Sequence, residues 1–422
     1  GSIITDYGAI ANDSSNAAAY ANTKALQMAI AAANSSSTER TAVVPPGNFY
    51  FFNATFFDLH NVTLEIRGTL TITNNITEWK KFAQHSGTFG ALVFLQCDAM
   101  TLTGGGVIDG QGYDWWVYTF THPGAQIRPH MVVMSETTNI HIYDLTALNS
   151  PQFHFRLYDV RSVYIHDVTI QVDVTKQKAL HQQFGTWKEG LPTFPLNTDG
   201  IDPSGQDVLI ERVSITNFDD AVAVKPAHGG YIYSNCSRNI TVRNSHVHYG
   251  VGLTIGSVPP NAQHNCVQGV LFENVQMHTP IKAIYIKTNP GTVGTGLIDG
   301  ITYRNITGDT PLWYPIYIGP QQQRQPGTAG TGCSFFYPIV DKCPTNPLVP
   351  ISNVVLDTVH FTGGLTLPGI ILCNETRPCT DFQFTNVVND GSFIVSKDYV
   401  CKNADVSVSS GTSPAPSCSQ GM

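Results

Sequence analysis

The chain has 422 residues, of which 42% are hydrophobic and 13% charged, with a formal charge of −8 at pH 7. So much apolar material in so long a chain can bury a large core, which excludes intrinsic disorder, and no run of eighteen apolar residues is present to cross a membrane as a helix. An acidic balance without a basic block excludes the charge pattern of a nucleic-acid binder, and 37 Gly with 25 Pro are too few for a fibrous or low-complexity protein.

The first predicted element is a helix over Asn22–Ile30, rich in helix formers, with Asn22 as its N-cap. It is expected to close one end of the fold, inside an N-terminal cap of about residues 1–40. No signal peptide is read, so a mature form is expected, with Gly1-Ser2 as a fusion remnant. From residue 139 a short pattern recurs: strand, Asn/Asp-type bend, strand, with β-branched residues at alternate positions. It starts at Asn139, Ser162, Asp207, Asn239, Gly269, Gly300, Asn353 and Asp381. The starts are 23 to 32 residues apart, except for two longer gaps that are nearly double or carry a loop.

Such a period without helices between the strands describes a solenoid of stacked coils. Propeller blades need hairpin turns, and the Asn-Gly or Asp-Gly pairs that make them are scarce at these bends. A leucine-rich horseshoe needs a Leu/Asn consensus that is absent. The expected fold is therefore an all-β, single-domain right-handed parallel β-helix over residues 1–422, ending in a tail of about residues 400–422.

Nine cysteines accompany this pattern. Cys333/Cys343, Cys373/Cys379 and Cys401/Cys418 are close pairs in loop-rich stretches and read as disulfides; Cys236/Cys266 reads as a longer bridge, leaving Cys97 single. No C-x-x-C pair supports a metal site. Sequons at Asn12, Asn34, Asn53, Asn61, Asn75, Asn235, Asn239, Asn305 and Asn374 favour a secreted, extracellular glycoprotein.

In a solenoid each coil sits about 4.8 Å above its predecessor, so polar residues one period apart form a line. Asp199 is followed by Asp219 and Asp220, then by Gly250-Val251-Gly252 and Tyr285-Ile286-Lys287, each about one coil apart. Adjacent strand residues face opposite ways, so Asp219 and Asp220 share a face only if the chain bends there. The alternative is a bend in which one Asp caps backbone N–H groups. Three crowded carboxylates repel, so at least one is expected to keep a proton near neutral pH. That asymmetry suits glycosidic cleavage, which needs an acid for the leaving oxygen and a base for water.

Several motifs in order resemble glycoside hydrolase family 28, the polygalacturonase family of pectin-degrading enzymes. They are Asp6-Tyr7-Gly8-Ala9, Gly106-Val107-Ile108-Asp109-Gly110-Gln111-Gly112 with Trp115-Trp116, Arg128-Pro129, Asn149-Ser150-Pro151-Gln152-Phe153, Asn197-Thr198-Asp199-Gly200-Ile201-Asp202, and Asp219-Asp220. The resemblance implies a right-handed β-helix and inverting hydrolysis without metal or cofactor. It assigns Asp219 as general acid and Asp199 and Asp220 as activators of water. An inverting pair is expected roughly 6.5–9.5 Å apart. By the same resemblance Lys287 contacts a uronate carboxylate as a point charge, and Asn197 orients Asp199.

Two positions depart from the family pattern. Val251 stands where polygalacturonases carry His, and Tyr285 where they carry Arg. The second change trades a bidentate carboxylate binder for an aromatic platform, so the groove is expected to hold a pectic polysaccharide or oligogalacturonide less firmly at that point.

Among other residues, Tyr317 is expected to continue the groove, while Trp313 and Tyr314 pack. Trp115 and Trp116 read as sugar platforms or loop anchors, His246 and His248 as surface residues of one strand. Arg324 offers the groove a cation, and the long loop over residues 176–194 can block one end of it for exo attack. The remaining expectations are a monomer with no nucleic-acid or membrane partner. The rival functions are a polysaccharide lyase and a non-catalytic sugar-binding β-helix.

Overall fold

Alternating apolar residues produce strands whose inward side chains meet their counterparts one coil away, and that register defines the architecture. A computed structural model describes residues 1–82, 88–122, 127–175, 195–227, 236–323 and 332–420. These residues form two compact units: Gly1–Asp202 with Ile210–Asp219, and Pro203–Leu209 with Asp220–Met422. Each is a right-handed parallel β-helix built from parallel strand pairs.

In the first unit Val62, Met100, Ile140 and Val163 stack in register, and Leu64, Leu102, Ile142 and Ile165 stack beside them. In the second, Ile240, Val270, Ile301, Val354 and Phe382 form one column; Val242, Phe272, Tyr303, Leu356 and Phe384 form another. All are buried, each contributing about 1.5–3 kcal/mol by leaving water.

The sequence repeat is realised at the backbone. Asn139, Ser162, Asp207, Asn239, Gly269, Gly300, Asn353 and Asp381 all take positive φ. Five residues on, Asp144, Asp167, Arg212, Asn244, Asn274, Asn305, Thr358 and Asn386 do the same. Asn, Asp and Gly tolerate this left-handed conformation best, which is why they mark the corners. Corner side chains then bond along the stack: Asn274 donates to Asn244 at 2.7 Å and Asn305 to Asn274 at 3.2 Å.

The N-terminal helix is longer than predicted, Asn16–Ser35, and its N-cap is Ser15, whose hydroxyl accepts from the Ala18 N–H at 3.2 Å. Asn22 is not the cap. Buried inside the helix, it accepts from the Ile10 N–H and donates to the Ile10 and Tyr50 carbonyls, tying the helix to the adjoining strands. The sequence reading also missed two short helices, Ile76–Trp79 and Gly112–Thr121. The second carries Trp115 and Trp116, both buried, with the Trp116 indole donating to the Ser150 carbonyl at 3.1 Å. They are anchors rather than platforms.

All four predicted disulfides are present, and Cys97 is single and buried. Burial pushes its thiol pKa up to about 11, which makes it inert. The predicted tail is partly ordered fold: strands Val400–Lys402 and Ala404–Val408 continue the stack, and the Cys401–Cys418 bridge ties the C-terminal segment to them.

Candidate active site

In the first unit the segment before Ile201 leaves strand geometry, and Asn197 takes φ +62°. Its backbone N–H donates to Asp219 Oδ2 at 2.8 Å, and its side-chain Oδ1 accepts from Arg128 at 2.8 Å. Asn197, expected to orient Asp199, grips Asp219 through its backbone N–H. The segment is held by the buried Arg128 guanidinium, which also donates to the Leu196 carbonyl at 2.6 Å and the Pro151 carbonyl at 3.2 Å. Desolvation pulls the Arg128 pKa down to about 10, against the attraction of Asp219 and Asp199.

Asp199 is fixed through its backbone. His154, fully buried, donates from its own N–H and from Nδ1 to the Asp199 carbonyl, each at 2.9 Å, and its Nε2 accepts from the Ser150 N–H at 3.2 Å. Those contacts require a neutral ring, and burial lowers its pKa to about 4. The chain bends at Phe218-Asp219, as two neighbouring carboxylates on one face demand. Oxygens of Asp199 and Asp219 lie within 4.8 Å of one another.

In the second unit Asp220 accepts from Thr254 Oγ1 at 2.8 Å and from Lys287 Nζ at 3.2 Å. The Lys287 ammonium lies 4.8 Å from the Tyr285 ring centroid, and that ring meets Tyr317 edge-on at 5.3 Å. Val251 and Tyr285, the two departures from the family pattern, fall in one apolar cluster with Tyr314, Tyr317 and Leu367. The two changes therefore meet in one apolar region, which would have to take an imidazole at 251 at the cost of burying a polar group.

Asp199 and Asp220 are each 2% exposed and Asp219 is half-buried. Asp219 accepts from the Asn197 N–H, and Asp220 from Thr254 and Lys287. Tyr285 and Tyr317 do not line an open surface: both are buried, Tyr317 beneath the Cys333–Cys343 bridge, with its hydroxyl 2.9 Å from Cys333 Sγ. Tyr314 packs as expected, Trp313 is half-buried, and His246 and His248 are exposed on their strand. Arg324 and residues 176–194 lie outside the described residues.

Sequence reasoning passed over four residues of these two regions: His154, Thr254, Lys282 and, except as a motif letter, Arg128. Only Arg128 carried a signal, since a buried guanidinium needs carbonyl partners and the Arg-Pro motif precedes such a segment.

The sequence profile of Glycosyl hydrolases family 28 matches residues 35–411. A polygalacturonase of Chamaecyparis obtusa is 25% identical over 358 residues, 82% of this chain, which spans 59% of that relative's length. An exopolygalacturonase of Zea mays is 24% identical over 95% of this chain and 86% of its own. The solved polygalacturonase from Erwinia carotovora ssp. carotovora shares the fold with a TM-score of 0.65 at 20% identity, covering 94% of this chain and 96% of its own. The ordered motifs, the coil architecture and a match across nearly the whole sequence lead to one assignment: this chain belongs to glycosyl hydrolases family 28.

Proposed function

We propose that the chain is a secreted, monomeric hydrolase, one β-helix domain over residues 1–422, that cleaves α-glycosidic bonds in galacturonate-containing pectic polysaccharide or its oligomers. Asp219 protonates the leaving oxygen. Asp199, with Asp220 one peptide bond from Asp219, takes the proton of the attacking water. The observation that carries this reading is the Asp199–Asp219 carboxylate pair, within 4.8 Å and held by fixed partners at Asn197 and His154. A pair so placed does not reorganise as charge develops.

The 4.8 Å limit concerns one oxygen of each carboxylate and is not the carboxyl-to-carboxyl spacing of roughly 6.5–9.5 Å that marks an inverting pair. Inversion therefore rests on the family resemblance, and proton NMR of the first-formed anomer decides it. Secretion is supported by four disulfides and by sequon asparagines that, among the described residues, are never buried.

The test is reducing-end release over homogalacturonan, rhamnogalacturonan and xylogalacturonan, by the parent and by Asp219→Asn. The parent is expected to cleave at least one polymer, with kcat about 10²–10⁴-fold lower in the variant. Equal rates remove Asp219 as the acid. An unsaturated product absorbing in the near ultraviolet makes the chain a lyase, and no release from any polymer makes it a binding protein.

A further inference from the structure

Away from every family motif, the outward face of the first unit carries a block of four aromatic rings. Strands Thr138–Leu148 and Phe155–Gln171 pair in parallel, and their register sets His141 beside Tyr164 and Tyr143 beside His166. The two imidazoles thus lie on one diagonal of the block, each flanked by both tyrosines. Between ring centroids His141 is 4.4 Å from Tyr143 and 5.5 Å from Tyr164, and His166 is 5.1 Å and 4.3 Å from the same two rings. All four are half-buried, so stacking restricts their rotation and leaves part of each exposed.

On that diagonal the Nε2 atoms of His141 and His166 face each other at 2.8 Å. His166 Nδ1 donates to Asp167 Oδ2 at 2.6 Å, since a carboxylate only accepts. With the hydrogen of a neutral ring fixed on Nδ1, His166 Nε2 carries a lone pair, and His141 supplies the hydrogen between the two. An imidazole turned by a carboxylate so that its free nitrogen faces outward is how proteins prepare a metal ligand. Burial, then the neighbouring His166, lowers the His141 pKa from its ordinary 6.5. His141 is therefore also neutral at neutral pH, and it ligates through Nε2 by carrying its hydrogen on Nδ1.

The charges around the pair favour a cation. Arg212 approaches His166 Nδ1 to 3.5 Å, but its guanidinium donates to Asp167 at 3.1 Å and to Glu211 at 2.9 Å, and Glu211 also accepts from Tyr164 at 2.6 Å. Two carboxylates against one guanidinium leave a net charge of −1 beside the imidazoles. Imidazole ligands suit zinc, copper and nickel, whereas calcium and magnesium take oxygen. A tetrahedral ion about 2.0–2.1 Å from each nitrogen holds them about 3.3 Å apart, so the Nε2 atoms, now at 2.8 Å, need separate by only about 0.5 Å. We propose that His141 and His166, oriented by Asp167, bind one divalent transition-metal ion of the zinc type, completed by water, which staples two adjacent coils of the first unit. The ion replaces the hydrogen between the rings and takes no part in hydrolysis.

The experiment strips the full chain of metal with a chelator, removes the chelator, and titrates the protein with zinc chloride in a calorimeter. One zinc ion is expected at this site, and calcium is expected not to displace it. His141→Gln and His166→Gln are each expected to weaken binding about tenfold or more, and Asp167→Asn, which releases the ring, about 10–100-fold. Zinc is expected to raise the Tm of the parent and to leave that of His141→Gln unchanged. The control is His278→Gln, which removes a histidine paired with Asp309 at 2.6 Å in the second unit and is expected to bind zinc as the parent does.

A parent that takes up no zinc overturns the site, as does displacement by calcium. So does binding that survives undiminished in a folded His141→Gln or His166→Gln, or that is lost in His278→Gln. Should both site variants fail to fold, anomalous scattering from zinc-soaked crystals of the parent locates the ion. A peak between His141 Nε2 and His166 Nε2 upholds the site, and zinc found only elsewhere overturns it.

Discussion

Asp199 and Asp219 in the first unit and Asp220 in the second are fixed by different means. The first pair is held mainly through the main chain: the Asn197 N–H grips Asp219, His154 grips the Asp199 carbonyl, and Arg128 grips the carbonyls of Leu196 and Pro151. Asp220 is held by side chains alone in its named contacts, Thr254 and Lys287, with Tyr285 against the lysine. Of these contacts, only the N–H donors of Asn197 and His154 would be supplied by any residue at the position; the His154 ring and Arg128 in the first unit, like Thr254 and Lys287 in the second, are chosen side chains. Both departures from the family pattern, Val251 and Tyr285, fall in the second unit and in one cluster.

Removing Lys287 breaks this comparison most sharply. It pairs with a carboxylate that is more shielded than itself, and deleting one partner of such a pair costs about 3–5 kcal/mol. Lys287→Met is expected to lower stability by that order in urea denaturation, and to lower turnover because Asp220 loses its fixed cation. If the unfolding midpoint of Lys287→Met matches the parent's, the ion pair contributes nothing and Asp220 is held by other contacts.

Much of the scaffold was legible in the sequence because its corners recur. Asn239, Gly269 and Gly300 mark left-handed turns that few residue types adopt, and the β-branched alternation between them reports which face is inward. All four disulfides were legible for a similar reason, since close cysteine pairs in loops have few other uses. The helix N-cap was misread at Asn22 because its side chain serves a long-range contact that no local pattern encodes. The environment of the acidic residues was not legible: spacing alone does not show that Asp199 and Asp220 are enclosed. Lys282 was illegible for the same reason, because its ammonium acquires meaning only once the Tyr285 and Tyr317 rings are in place around it.

A second prediction sharpens the comparison from the side of the main-chain clamp. His154 has a folded pKa of about 4 against an ordinary 6.5, lowered by burial. Between those values the unfolded chain binds the extra proton, so stability rises with pH across that window. The contribution is complete above pH 6.5 and is lost as pH falls towards 4, an effect of about 3 kcal/mol at most. His154→Gln removes the titration. The parent is therefore expected to lose more stability than the variant between pH 7 and pH 4.5, whatever their difference at pH 7. Parallel loss in the two proteins would mean that His154 binds its proton in the fold as readily as in the unfolded chain, and its Nε2 would then not be held as an acceptor for the Ser150 N–H.

The smallest expected effect tests whether Val251 and Tyr285 act as a pair. Restoring the family residue with Val251→His places an imidazole against Tyr285, Tyr314 and Leu367, where its nitrogens displace apolar contact. A polar group so placed costs about 1–3 kcal/mol by mutational measures, and a half-buried site such as Val251 belongs at the low end. Val251→His alone is expected to destabilise the protein by about 1 kcal/mol without raising activity. Tyr285→Arg alone is expected to destabilise it as well, since it exchanges an aromatic ring for a third positive charge close to Lys282 and Lys287. The double variant supplies the discriminating measurement. If the two positions are coupled through the cluster, its loss in denaturant midpoint differs from the sum of the single losses by more than about 0.5 kcal/mol. Simple additivity would show that the two departures are independent, and that the aromatic wall beside Asp220 is not a unit.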